Sequence, residues 1–386
     1  MALNILFLVA GTFSGTNESL IKTFSKNNHV NIVGVINPTI AIRPVWGKLR
    51  LSSFLNSFLG DLAAINEYGR RWKYYHWRTP FAFNKMTEAC EKAIRNYGKS
   101  KVDAVIMTQT LFSFSQNKPD VPSFIFTDNT NRLTYETPFK DEFKLHFQTS
   151  PRWQKLEKKT YLKADKVFVM GSHVRTSLID FYGVDPKKVV VVGGGSNIST
   201  KLNKNPEFRK KSYQGRTVLF VGRDFKRKGG EALLQAFKMV KEEFKDAKLI
   251  VVGCSPKIRI DGVNVVGKLN PDQLEKYYER AQVFVMPSLF EPWGNVWIEA
   301  MTYQLPCIGT NVGSIPYIIE DGKTGFIVPP KNPEEIAKRL IYLFENPHIM
   351  EQFGRKGFLR AVNSFTWDKV VDTVAKEIAA TLKEKS

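Results

Sequence analysis

Two carboxylates stand eight residues apart in the run Pro287-Ser-Leu-Phe-Glu291-Pro-Trp-Gly-Asn-Val-Trp-Ile-Glu299-Ala-Met301. A carboxylate can accept hydrogen bonds from two hydroxyls, which suits a sugar or ribose better than a neutral amide would. The spacing places Glu291 in a loop after the apolar run Val283–Met286, and Glu299 just over a turn into a helix that opens near Asn295. A helix start behind Gly294 leaves unpaired backbone N–H groups and a positive dipole end, which together can seat a phosphate. A second segment, Val218-Leu-Phe-Val-Gly222-Arg223-Asp-Phe-Lys-Arg-Lys228-Gly-Gly230, again runs from strand through turn to helix. Arg223 and Lys228 flank that turn at the carboxyl end of a strand, where open α/β sheets bind ligands. Two cations there suit the charge that develops on a diphosphate leaving group. Either segment alone is also what a basic turn or a structural loop looks like.

The elements around these segments repeat one rhythm of apolar strand, glycine-containing turn and amphipathic helix. In the first half the strands are read at Ile5–Ala10, Asn31–Ile36, Ala104–Thr108, Ser123–Phe126, Val167–Met170 and Val189–Val192. In the second half they are read at Thr217–Val221, Lys248–Val252, Val263–Val266, Val283–Met286, Cys307–Thr310 and Gly325–Val328. Short, nearly continuous apolar runs separated by helix-length segments indicate parallel sheets covered on both faces. The pattern is a doubly wound, Rossmann-like α/β domain, present twice. The expected divisions are a first domain over residues 1–195, a second over 196–365, and a last helix over 366–386. The polar, lysine-rich stretch Asn197–Gln214 reads as a linker or surface excursion. In the last helix Trp367, Val370, Val371, Val374, Ile378 and Leu382 form one apolar face that requires a packing partner.

The region Arg43–Asn84 breaks the rhythm. Leu51, Phe54, Leu55, Phe58, Leu59 and Leu62 mark an amphipathic helix, expected to bury its apolar face in the core. The basic-aromatic cluster Arg70–Arg78 follows it and is expected to face an acceptor or a membrane. The formal net charge of +20 likewise calls for an anionic partner: nucleic acid, acidic lipid or a phosphorylated substrate. The basic residues are spread along the whole chain, and no zinc-finger, RNP-like or basic-zipper spacing accompanies them, which argues against nucleic acid. Three scattered cysteines, Cys90, Cys254 and Cys307, form no CxxC pair and suggest free thiols in a reducing compartment. The apolar N-terminal run lacks a basic flank and reads as a buried first strand, not a leader. Cytoplasmic placement is the expectation, with a peripheral position at the inner face of the cell membrane. No DxD near a strand end, HExxH or His/Cys cluster is present, so no metal is expected.

The order of these motifs resembles family 4 of the glycosyltransferases, retaining enzymes of the GT-B architecture. The resemblance spans roughly residues 160–370. It rests on the E-x(7)-E unit at Glu291 and Glu299, the Gly-Arg and later Lys-Gly of the Gly222–Gly230 turn, and Asp321-Gly-Lys-Thr-Gly325. It implies two Rossmann-like domains facing across a cleft, with the donor on the C-terminal one and the last helix crossing back to the first. It implies that Arg223 and Lys228 hold the diphosphate beside Gly222, Glu299 the ribose, and Glu291 the hydroxyls of the donor sugar. Backbone amides at Gly294, Asn295 and Val296 complete the cradle, and no cofactor is required. Trp293 stands where the family commonly has a smaller aromatic, which bears on donor-sugar fit. Ser314 and Tyr317 replace the usual second glycine and the following acidic residue, so the turn Asn311–Tyr317 is read as structural. In the first half, Gly15 of Gly11-Thr-Phe-Ser-Gly15 matches the glycine-rich loop whose amide approaches the distal phosphate. Asp128, after a mid-domain strand, stands where many relatives carry a histidine that meets the donor sugar. His173 opens a helix and reads as a capping or surface residue.

The expected activity is transfer of a sugar from a UDP- or GDP-type donor to a glycan, glycolipid or other hydroxyl acceptor, as in polysaccharide or glycolipid synthesis. A nucleotide-sugar epimerase on the same scaffold is the enzymatic alternative. It would need acid–base groups converging on the sugar from the first domain. A nucleic-acid-binding protein is the alternative from another class, and a silent lectin-like partner a third. The glutamate pair together with Arg223 and Lys228 favours the transferase.

Overall fold

The computed structural model describes residues 2–11, 15–42, 51–98, 101–117, 121–139, 149–196 and 211–385, with side chains from residue 55 onward in the helix Leu51–Tyr68. Most of the stretch Asn197–Gln214, part of the Gly11–Gly15 loop and residues 43–50 lie outside the described residues. The chain divides into two compact units, one running to Gly193 and resuming at Trp367, the other spanning Gly194–Thr366.

The first unit is built on β1 (Leu3–Val9), β2 (Val30–Ile36), β3 (Ala104–Thr108), β4 (Ser123–Thr127), β5 (Lys166–Val169) and β6 (Val189–Val191). They form one parallel sheet in the order β2-β1-β3-β4-β5-β6. All five residues of β3 and of β4 are buried, as expected for strands covered by helices on both faces. The helix Trp367–Lys385 belongs to this unit, with Val370, Val371, Val374 and Ile378 buried. Polar contacts fix its register: Asn27 Nδ2 donates to Asp372 Oδ1 at 3.0 Å, and Lys166 and Lys385 pair with Glu377 and Asp165.

The second unit carries β7 (Thr217–Val221), β8 (Lys248–Val252), β9 (Val263–Gly267), β10 (Val283–Val285), β11 (Cys307–Thr310) and β12 (Gly325–Val328). Its parallel sheet runs β12-β11-β10-β7-β8-β9.

One expectation fails in the first unit. Of the apolar positions predicted to face the core, those whose side chains are described, Leu55, Phe58, Leu59 and Leu62, are exposed on the helix Leu51–Tyr68, as is Ile65. Its inward face is made of small residues, Gly60 and Ala64. The pattern of large residues therefore marks the outward face of this helix, and only at its end does a large side chain, Tyr68, pack inward. The segment after it divides. Tyr75 is buried and stacks on Tyr68 with ring centroids 4.3 Å apart, and Tyr68 Oη donates to the Arg78 carbonyl at 2.7 Å. Arg70, Arg71, Lys73 and Tyr74 are exposed.

Candidate active site

In the second sheet β8 and β9 lie on one side of β7, and β10, β11 and β12 on the other. The strand order therefore reverses between β7 and β10, the position at which open α/β sheets bind ligands beyond their carboxyl ends. The turns leaving those two strands are Gly222–Gly229 and Met286–Gly294, so the topology brings the two predicted segments to one place.

Backbone and side-chain bonds lock the turns together. Leu289 N donates to Arg227 O at 2.9 Å, and Arg227 Nη1 donates to Phe290 O at 2.8 Å. Asp224 steadies that arginine, its Oδ2 lying 3.4 Å from Nε. Arg227 was not singled out by the sequence; its role as a strap between loops depends on a fold that brings residues 63 positions apart into contact. Lys228 Nζ donates to Glu291 Oε2, and both side chains are buried. Burial lowers the Lys228 pKa, while the adjacent Glu291 charge opposes that shift. An ammonium has three donors, so this ion pair leaves it capacity for phosphate oxygens. Arg223 is exposed at the start of the same turn.

Gly294, at φ +88°, caps the helix Asn295–Thr302, and Asn295 and Val296 form its half-buried first turn. Four backbone N–H groups at such a start have no partner inside the helix. Trp293 is buried between Tyr317 and Phe365, with ring centroids 6.1 and 5.9 Å away. Its carbonyl accepts from Ser314 Oγ at 2.6 Å, and Ser314 N donates to Glu291 O at 3.3 Å. The turn Asn311–Tyr317 thus holds the backbone of the glutamate loop, and Ser314 is the residue that does so.

Glu299 is buried, and Tyr278 Oη donates to its Oε2 at 3.0 Å. Burial pushes the Glu299 carboxyl up to about 7, partly offset by the tyrosine hydrogen bond. Tyr278 escaped the sequence reading because a buried aromatic on a helix looks like any core residue. Among the described residues, no three His, Cys, Asp or Glu side chains gather as a metal-ligand set.

The remaining candidates lie in the first unit. Asp128 follows β4 and is half-buried, and Gly15 caps the helix Thr16–Phe24 in the left-handed conformation. His173 is not a cap: both ring nitrogens are buried without a partner, and burial lowers its pKa to about 4, leaving it neutral. A polar cluster absent from the sequence reading sits beyond β3 and β4. Glu157 accepts from Thr110 Oγ1 at 2.9 Å, Tyr182 Oη at 2.5 Å and Asn131 N at 3.3 Å, and burial raises it to about 7.

With this geometry in view, residues 203–360 match the family model described as glycosyl transferases group 1. That stretch of the second unit is therefore similar to the group 1 glycosyl transferases. Among curated proteins the chain is similar to a D-inositol 3-phosphate glycosyltransferase of Streptomyces bingchenggensis, 29% identical over 57% of this chain and 54% of that one. The chain therefore spans about half the length of that relative. Among solved structures it resembles sucrose-phosphate synthase of Thermosynechococcus elongatus, with a TM-score of 0.69, 18% identity and full coverage of both chains. It also resembles Anabaena HepE in complex with UDP and glucose, with a TM-score of 0.62, 15% identity, and coverage of 98% and 100%. At such identities the likeness is one of fold: two parallel-sheet α/β units of six strands each, the GT-B type. No described helix is long and apolar enough to cross a membrane.

Proposed function

We propose that the protein transfers a glycosyl unit from a nucleoside-diphosphate sugar, of the UDP or GDP type, to a hydroxyl acceptor, with retention at the anomeric carbon and without a metal ion. The observation that carries this reading is the buried Lys228–Glu291 pair at the sheet's reversal point. It sets a cation for a diphosphate and a carboxylate for sugar hydroxyls side by side. On binding, Lys228 and Arg223 face the diphosphate as the bond to the anomeric carbon breaks and negative charge grows on the departing oxygen. The free N–H groups after Gly294 add positive potential, in the place a metal ion would otherwise fill. Glu291 orients the sugar and Glu299 takes the ribose hydroxyls. Front-face attack needs no protein nucleophile, because the leaving phosphate can take the acceptor proton. Family 4 membership and an acceptor in polysaccharide or glycolipid synthesis complete the reading. HepE, solved with UDP and glucose, supports the donor class.

The test is release of nucleoside diphosphate from a panel of donors, comparing the wild type with Glu291→Ala and Arg223→Ala. Both variants should lose most turnover, the product should keep the donor's anomeric configuration, and a chelator should leave the rate unchanged. Unchanged turnover in both variants would overturn the site assignment.

The Glu299 assignment carries its own pH signature. Ribose hydroxyls donate to the anion, so binding favours the deprotonated carboxylate over the protonated one that burial encourages. With a free-site pKa of about 7, nucleotide affinity should strengthen as pH rises through 7 and level off above it. Between pH 6 and 8 this makes about a tenfold difference in Kd. Glu299→Gln should bind more weakly at pH 8 and lose this component of the profile. Titration calorimetry across that range checks it, and parallel profiles for the two proteins would remove Glu299 from the ribose.

A further inference from the structure

The helix Leu51–Tyr68 has its amphipathicity turned outward. Gly60 and Ala64 face the unit, while Leu55 and Phe58 are 56% and 57% exposed and Leu62 and Ile65 46% and 45%. These positions recur at helical spacing, so they form one stripe. Asn56 Nδ2 donates to Ala41 O at 3.1 Å, bringing the turn Pro38–Ala41 alongside, and Ile40 there is also exposed. The helix bears two acidic residues, Asp61 and Glu67, both half-buried. Directly after it come exposed Arg70, Arg71, Lys73 and Tyr74.

We infer that this face docks on an anionic lipid bilayer, with the apolar stripe lying in the headgroup–acyl boundary and the basic segment against the lipid phosphates. A helix with apolar side chains on one face and lysine or arginine nearby lies in the plane of such an interface. Tyrosine and tryptophan favour the same depth, where one end of the ring is dry and the other wet. A second copy of the chain fits the stripe less well. Each copy carries a net charge of +20, and a twofold contact there would bring two sets of Arg70, Arg71 and Lys73 together. Nucleic acid would use the charges and leave the apolar stripe in water. The acceptor this placement favours is one borne on the same leaflet.

The experiment is flotation of the full chain with phosphatidylcholine vesicles, with and without phosphatidylglycerol, at low and high salt. Two variants accompany it, Phe58→Ser with Leu62→Ser, and Arg70→Glu with Arg71→Glu. The wild type should float with the anionic vesicles, less so at high salt, and remain behind with the neutral ones. Each double variant should lose more than about tenfold in partitioning. Their unfolding temperatures should stay close to the wild type, because Phe58 and Leu62 are about half in water already and Arg70 and Arg71 are exposed. Equal flotation with neutral vesicles, none with anionic vesicles at low salt, or undiminished flotation of either variant would overturn the inference. So would a wild-type dimer that Phe58→Ser with Leu62→Ser dissociates, since a second copy would then cover the face. Donor turnover with a water-soluble acceptor is a separate readout, so failure here leaves the transfer reaction untouched.

Discussion

Replacing Lys228 with alanine should lower kcat by about 10²–10³-fold, the range seen when a group aimed at developing charge is removed from a site that excludes water. The same change should destabilise the second unit, because Glu291 is left buried without its cation. Breaking one side of a buried ion pair costs roughly 3–5 kcal/mol, enough to confuse lost folding with lost chemistry. A double variant separates them. Lys228→Met with Glu291→Leu replaces the pair by apolar side chains of similar size, which is often neutral for stability or better. Thermal unfolding should therefore place the double variant near the wild type and well above Lys228→Ala. Nucleoside-diphosphate release should stay low in both. Wild-type turnover in the double variant would show that the pair serves only the fold.

The twelve strands among the described residues are legible because each is a short, largely apolar run bounded by a turn, and in central strands such as β3 and β4 burial on both faces removes the alternation that would blur it. The candidate site segments stand out in the sequence for a related reason. Gly222–Gly230 and Pro287–Glu299 place charged residues directly after such strands, where few core functions compete for them. The misreadings came from information that only packing holds. The helix Leu51–Tyr68 has the periodicity of a core helix, and the pattern says which residues share a face but not which face turns inward. In the folded unit the buried positions are Gly60 and Ala64, a choice that the pattern of large residues does not carry. Glu157 sits in the buried stripe Trp153, Glu157, Thr160 and Tyr161 of the helix Pro151–Lys163. A carboxylate at an otherwise apolar phase was the available signal. Its partners Thr110, Asn131 and Tyr182 come from three other stretches of chain. Tyr278 and Arg227 were hidden in the same way, since each acts on a residue brought near by the sheet.

The second large effect is expected at a residue that touches no ligand in the proposed mechanism. Gly313 holds φ +56°, and a Cβ there would stand 1.8 Å from the Glu291 carbonyl oxygen. Gly313→Ala must therefore displace the backbone of the glutamate loop as well as bear a left-handed conformation. Gly322 supplies the control: at φ +69° it has nothing within 4 Å of the same Cβ position. Gly322→Ala should cost only the conformational penalty, roughly 1–2 kcal/mol. Gly313→Ala should cost about 3 kcal/mol or more, and its unfolding temperature should fall well below that of Gly322→Ala. The consequence for activity differs in kind. A shift of about 1 Å in a positioning element can cost on the order of 10²-fold in rate, and Glu291 and the amides after Gly294 lie on the segment that must move. Gly313→Ala should thus lose turnover at temperatures where it is still folded, whereas Gly322→Ala should keep it. Equal turnover of the two folded variants would mean that the loop backbone tolerates displacement, and that the bonds from Ser314 to Glu291 and Trp293 do not set the geometry of the proposed donor site.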